Sequence, residues 1–328
     1  MNEQTNAVEA AGASGETATP AGRDAGAGSG LKRLLEGGGF ALTAEIVPPA
    51  AAGFEALLER ALPLKGLADA VNVTDGAGAR ATMPSLVAAA RLVEAGIEPI
   101  LQMTCRDRNR IALQGDLIGA AALGVTNILM LGGDDPTAGD QPDAKAVFDL
   151  DADGLLRTAA RLRDAGELPS GRKVEGPAPF FLGAADMPLD PAPDWKPDRL
   201  KSKIAAGAQF AQTQINLDPA MIARYAARLI ECGIGEGFHL IVGIAVPASA
   251  RSARWMRDNL FGTVVPDAVI DRMEAAGDQR AEGIRIAVEV IQALAETPGV
   301  AGAHIMAPLN ERSIPQTIVA ARETANLH

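Results

Sequence analysis

The chain has 328 residues, 48% of them hydrophobic, and a net charge of −11. That length fills one large domain or two small ones, and the acidic balance offers no cationic face to displace phosphate counterions, which excludes a nucleic-acid binder. No apolar run reaches the ~18 residues of a membrane span, and Cys105 and Cys232 form no disulfide framework, so the expected location is a reducing cytoplasm.

Residues 1–30 are rich in Ala, Gly, Ser and Thr and lack the apolar segment of a signal peptide. They are expected to form a disordered tail, leaving 31–328 as one folded unit. The first strand is predicted over 40–47, "FALTAEIV", with Glu45 inside an apolar run just before Pro48 and Pro49. A second follows at 68–74, "ADAVNVT". From there one unit recurs: a helical stretch, a glycine, then a short apolar run ending in a polar residue. It is seen in "LVEAGIEPILQMT" (92–104), "AAALGVTNILMLGGD" (120–134), "IAAGAQFAQTQ" (204–214), "IECGIGEGFHLIVG" (230–243) and "ETPGVAGAHIM" (296–306). Gly96, Gly124, Gly207 and Gly233 fit the left-handed position that ends a helix. With "PFFLGAA" at 179–185 the strands number eight. Helices are predicted at 53–62, 84–95, 109–123, 151–165, 197–206, 219–232 and 278–296.

Regular alternation of strand and helix implies a parallel sheet. Eight units fit a (β/α)8 TIM barrel, whose usual size is ~250 residues. The rival, a doubly wound open sheet, calls for a glycine fingerprint after the first strand. Here "EIVPPA" stands instead, and no G-x-G-x-x-G or P-loop occurs.

In a barrel the C-terminal strand ends converge on one face. Those ends carry Glu45, Thr74, Asp75, Gln102, Thr104, Cys105, Asp134, Asp135, Asp186, Gln212 and Gln214. Each could end a strand simply because a loop begins there. Glu45 is harder to explain so, since an uncompensated buried carboxylate costs several kcal/mol. Gln212 and Gln214, two apart, share a strand face, and one of them could be a satisfied core amide. The two glycines before Asp134 allow close approach to the backbone, or mark a turn before Pro136. "RDRNR" (106–110) is either a solvated cluster or an anion holder. Lys196, Arg199 and Lys203, at helical spacing, form a solvated face or, at a barrel mouth, a phosphate contact. His239 and His304 read as structural, and no histidine pattern suggests a metal site.

Six segments in register, "AEIVPP", "VNVTDGAGAR", "LQMTCRDRNR", "LGGDDP", "AGAQFAQTQINLD" and "HIMAPLNERSIPQ", resemble methylenetetrahydrofolate reductases over roughly residues 31–322. The resemblance implies a flavin-dependent barrel that reduces 5,10-methylenetetrahydrofolate to 5-methyltetrahydrofolate in one-carbon metabolism. It implies Glu45 as the acid that opens the folate's imidazolidine ring, a role served by a raised pKa. It places Asp134 beside both flavin and folate, as a second catalytic residue, and Gln214 on the folate. Thr74, Gln102, Thr104, Gly132, Gly133, Ala184, Ala185 and Lys203 fall on the cofactor side. FAD is the implied cofactor, with FMN as alternative, and NADH or NADPH the implied electron donor. A folate substrate, a homo-oligomer and, as a variant, a redox partner protein complete the implied partners. The departures are Gln102 where the family has histidine, Gly132 where it has arginine, and Ala250 where an aromatic stacks. Two alternatives stand beside this reading: a flavin-free pterin-binding methyltransferase barrel, and a flavin- and folate-carrying subunit that works only in a complex.

Overall fold

A computed structural model describes residues 28–308 and 310–325. The expected tail therefore lies outside the described residues as far as position 27. Its last members are already ordered, because Ser29 caps a helix at Gly30–Glu36 and accepts a hydrogen bond from the Lys32 amide.

Eight parallel strands close into a barrel, as the alternation predicts. They are β1 (Ala41–Ile46), β2 (Ala70–Val73), β3 (Pro99–Thr104), β4 (Asn127–Leu131), β5 (Phe181–Asp186), β6 (Phe210–Thr213), β7 (His239–Ala245) and β8 (Val300–Met306). The seven expected helices are present, at Glu55–Ala61, Ser85–Glu94, Arg110–Ala122, Ala152–Ala165, Asp198–Ala205, Pro219–Glu231 and Gln279–Ala295. Asn109, Asp151, Asp218 and Asp278 cap four of them through side-chain bonds to backbone amides. Helices at Gly30–Glu36, Ala250–Asn259, Asp267–Ala275 and Ile314–Ala325 were not anticipated. The second of these, "ARSARWMRDN", has too few apolar residues to show a helical period, and tertiary packing of Ala250, Ala253 and Met256 holds it.

Strand residues alternate between an outer face packed on the helices and an inner face. Leu42, Ala44, Val71, Val73, Leu101, Met103, Ile128, Met130, Leu182, Ala184, Val242 and Ile244 face outward and merge with the helices in one cluster. Ala41, Ala70, Ile100, Leu129, Phe181, Phe210 and Ile241 point inward at the lower end. Helix Gly30–Glu36 closes that end, packing Leu31 and Leu35 against this inner cluster. Glu98 ties it down by accepting bonds from Ser29 Oγ, Gly30 N and Leu31 N, each 3.0 Å long. The inward positions above that floor are polar: Thr43, Asn72, Gln212 and His304, all buried.

The long helix Gln279–Ala295 crosses the end of β7 at Gly283. A Cβ there would stand 1.9 Å from the Pro247 carbonyl oxygen. Gly283→Ala is therefore expected to force the helix off the barrel and cost about 1–3 kcal/mol or more. A denaturant midpoint equal to that of the parent protein would refute this.

Candidate active site at the barrel mouth

Above the polar layer lies an open cavity of about 1240 Å³. That exceeds the ~300–1,000 Å³ of an ordinary small-molecule pocket, so there is room for two ring systems together. Its lining includes Glu45, Thr74, Gln102, Thr104, Gly132, Gly133, Asp134, Ala185, Lys203 and Gln214. These are the residues singled out in the sequence, with one exception. Ala184 is 1% exposed and lies in the outward apolar cluster, because it is one residue out of phase with the inward-facing Ala185.

Glu45 sits at the cavity floor. Gln102 Nε2 donates to its Oε2 at 3.0 Å, and His304 Nε2 lies 3.5 Å from the same oxygen. Among the described residues Oε1 has no hydrogen-bond partner. His304, read as structural, is buried and bonded to Thr43, and parallel pairing of β1 with β8 sets it one turn of the pleat below Glu45. A lone histidine in an apolar strand gave no signal of this, because the contact joins residues at opposite ends of the chain. His239 does behave structurally, at the foot of β7, where burial lowers its pKa and its ring packs 6.1 Å from that of Phe181.

Asp134 receives the Gly78 amide on Oδ2 at 2.8 Å, which pins two mouth loops together. Gly133, at φ +100°, makes the turn that precedes it, and at Gly132 nothing lies within 4 Å of where a Cβ would stand. Asp75 holds the neighbouring loop. It accepts from Thr104 N and Oγ1, at 2.8 and 2.9 Å, and from Arg108. Arg108 also reaches Asp116 at 2.8 Å, Arg110 pairs with Asp149, and buried Arg106 pairs with Asp107 and reaches the carbonyls of Gly76 and Asp134. The solvated-cluster reading of "RDRNR" fits the exposed Asp107 and Arg110, while Arg106 and Arg108 turn inward. The arginines are spent on protein carboxylates and carbonyls, bracing the mouth. Cys105 is also withdrawn from chemistry, since burial, with Asp151 adding to it, pushes its thiol up to about 11.

Gln214 lies just past β6. Its Nε2 donates to the Phe261 carbonyl at 3.1 Å and its Oε1 accepts from Ile215 N at 2.8 Å. One amide hydrogen and one lone pair remain for a ligand. Gln212 is the satisfied core amide of the pair, bonded to Asn72 and Thr43. On the far rim, Lys203 donates to the Ala185 carbonyl, while Lys196 and Arg199 have no ion pair or hydrogen bond among the described residues. Asp186 takes the Tyr225 hydroxyl at 2.6 Å, and burial together with that carboxylate raises the phenol pKa far above its usual value. Ala250, where an aromatic was missing, is buried against Met273 and Ile286 and does not reach the cavity. Phe261, 85% exposed, supplies an aromatic at the rim from the same β7 connection.

Two observations test the site for a flavin nucleotide. Thr74 Oγ1 is buried on the cavity wall without a partner, and such an orphan fits a ligand's polar ring edge. The rim cations Lys196 and Arg199 are unpaired, which suits a pyrophosphate. No group of His, Cys, Asp and Glu suited to hold a metal occurs among the described residues, and no described helix is long and apolar enough to cross a membrane.

A closed parallel barrel with its polar groups gathered at the C-terminal mouth defines an enzyme-type (β/α)8 architecture. Two solved structures share it. One is a protein from Clostridium thermocellum described as binding two copies of 5-methyl-5,6,7,8-tetrahydrofolic acid, with a TM-score of 0.62 and 12% identity over 91% of this chain and 100% of that one. The other is EDTA monooxygenase from Chelativorans sp. BNC1, with a TM-score of 0.52 and 12% identity, covering 88% and 95%. At such identities they bear on the fold alone. The family profile described as methylenetetrahydrofolate reductase matches residues 30–322, and the chain belongs to that family. A probable methylenetetrahydrofolate reductase (NADPH) of Caenorhabditis elegans is 28% identical over 199 residues, which is 60% of this chain and 27% of that longer protein.

Proposed function

We propose that the protein reduces 5,10-methylenetetrahydrofolate to 5-methyltetrahydrofolate, with FAD as cofactor and a reduced nicotinamide nucleotide as electron donor. The observation that carries this reading is Glu45, a carboxyl on the cavity floor with Oε2 held and Oε1 free. Family membership supports the substrate, and the size of the cavity supports flavin and pterin lying together. A bound flavin, once reduced, supplies the hydride.

The chain's own residues do the rest. Glu45 delivers a proton to folate N10 as the C–N10 bond opens, and the bonding pair leaves with N10. The methylene carbon is left as an iminium on N5, ready for hydride. Gln102 holds the carboxylate that remains. Asp134, a fixed negative charge, favours the cationic iminium over the closed ring. Gln214 offers one donor and one acceptor to the pterin edge. Thr74 would supply a hydroxyl to the cofactor ring, and Lys196, Arg199 and Lys203 would hold its phosphates. The loop glycines Gly132 and Gly133 leave the cofactor's edge uncrowded.

An absorbance spectrum of fresh protein tests the reading first, followed by anaerobic addition of NADH or NADPH and then of methylenetetrahydrofolate. Reoxidation of reduced flavin by the folate is the expected result. A colourless protein that binds folate but cannot be loaded with flavin would favour the flavin-free methyltransferase instead. Within this scheme Gln214→Ala is expected to weaken folate binding about tenfold, since a hydrogen bond is worth roughly 0.5–1.5 kcal/mol and each 1.4 kcal/mol is tenfold. An unchanged folate dissociation constant would remove Gln214 from the site. Asp134→Asn is expected to slow the folate half-reaction and to raise the flavin potential, because one negative charge fewer opposes the anionic reduced form. Potentiometry against a reference dye reads the second effect directly.

A further inference from the structure

A buried chain of side chains leads down from Glu45, and the proposed reaction leaves most of it without a task. His304 Nδ1 is 3.0 Å from Thr43 Oγ1. Gln212 Nε2 donates to that same hydroxyl at 3.2 Å and to Asn72 Oδ1 at 3.1 Å, while Asn72 Nδ2 donates back to Gln212 Oε1 at 2.6 Å. All four residues are 3% exposed or less. No water-filled alternative is needed, because each polar atom has a neighbour within reach.

The Gln212 bonds have a fixed direction, since it spends both amide hydrogens, one on Asn72 and one on Thr43. The Thr43 oxygen is therefore an acceptor toward Gln212, and its own hydrogen is available to His304 Nδ1. A neutral imidazole that accepts at Nδ1 carries its hydrogen at Nε2. That hydrogen faces Glu45 Oε2 across 3.5 Å, beside the Gln102 donor on the same oxygen. We infer that the Asn72–Gln212–Thr43 chain fixes His304 as the Nε2–H tautomer, and that His304 is a positioning residue that reserves Glu45 Oε1 for the acid proton.

This inference rests on Glu45 acting as the acid. With Gln102 donating to Oε2 and His304 Nε2 3.5 Å from it, Oε2 is the oxygen that bears the charge once the proton has gone. The proton to be delivered then resides on Oε1, the oxygen without a protein partner, on the cavity that Glu45 lines. With the other tautomer, an Nε2 lone pair would face the carboxyl. It would either repel the carboxylate or draw the acid proton onto Oε2, away from the folate. The arrangement follows the general pattern in which the hydrogen bond at one ring nitrogen decides the role of the other.

The test has a spectroscopic arm and a kinetic one. A long-range 1H–15N spectrum of the labelled full chain at mildly alkaline pH should show His304, assigned by its loss in His304→Gln, as the Nε2–H tautomer. An Nδ1–H ring, or one that stays doubly protonated, overturns the inference whatever the enzyme turns over. In stopped-flow, His304→Leu should slow the folate half-reaction about 3- to 10-fold, the range of a long, neutral donor contact. Folate affinity and the rate of flavin reduction should stay within about threefold in the same variant, since the lost bond bears on proton delivery alone. His304→Gln, which keeps an N–H near the place of Nε2, should recover most of the loss. Thr43→Val keeps the ring but removes what selects its tautomer, and should lose several-fold, so a folding failure of His304→Leu does not end the test. Parent-like rates in Thr43→Val with a native spectrum would sink the idea. A parent protein that never reduces methylenetetrahydrofolate would refute the proposed function, and the tautomer would still be read from the spectrum.

Discussion

Glu45→Gln is expected to lower the rate of the folate half-reaction by about 10²–10⁴-fold, the usual contribution of a positioned general acid. The change is close to isosteric. The Gln102 bond can survive on the amide oxygen, so the cavity should keep its shape. What disappears is the acidic hydrogen, and with it the means to neutralise N10 as the ring opens. Flavin reduction by the nicotinamide nucleotide needs no proton from this residue and should stay near the parent rate. The two half-reactions, followed separately in an anaerobic stopped-flow, give the answer. Parent-like reoxidation by methylenetetrahydrofolate would show that the proton comes from elsewhere.

Removing both rim cations, in a Lys196→Ala and Arg199→Ala double variant, should weaken FAD binding by about 10²–10⁴-fold. Each charge-assisted hydrogen bond contributes roughly 1.5–3 kcal/mol, and each 1.4 kcal/mol is tenfold. Neither side chain is committed to the protein among the described residues, so its loss should leave the fold intact. Riboflavin, which has no phosphate, is the internal control and should bind parent and variant alike. Equal weakening of riboflavin and FAD would mean that the cations support the ring system or the loop, and not the pyrophosphate. The parent's own affinity is expected to be modest, because Gln102 and Gly132 replace a histidine and an arginine of the resemblance, and Ala250 lies buried away from the cavity.

The barrel was legible because its signal is local. A glycine followed by an apolar run recurs before five of the strands, and three further apolar runs bounded by turn residues bring the count to eight. Glu45 was legible for a related reason: a carboxylate within an apolar strand contradicts its surroundings, and such contradictions tend to mark function. Ala184 and Ala185 show the limit of that approach. Their order in the chain does not say which faces inward, and a phase difference of one residue places the first among the helices. His304 shows a second limit. Its place beside Thr43 and Glu45 comes from register between the first and last strands, 261 residues from its Thr43 partner, and nothing nearby in sequence announces it. The arginines of "RDRNR" show a third, since a charged run looks the same whether its partners are ligands or the protein's own aspartates.

The helix stopper at the foot of the barrel has a consequence for the site above. With Leu31 and Leu35 seated against Phe181 and Phe210, the lower end is sealed with hydrocarbon. Among the described residues, the open side of the Thr43, Asn72, Gln212 and His304 layer is the mouth. The barrel is then, among the described residues, a vessel open at the mouth, and whatever occupies the mouth becomes its cork. Hydrogen–deuterium exchange at Thr43 and Asn72, which do not line the cavity, should slow when a ligand fills the mouth above them. Deleting residues 1–37 should remove that dependence by opening the vessel from below.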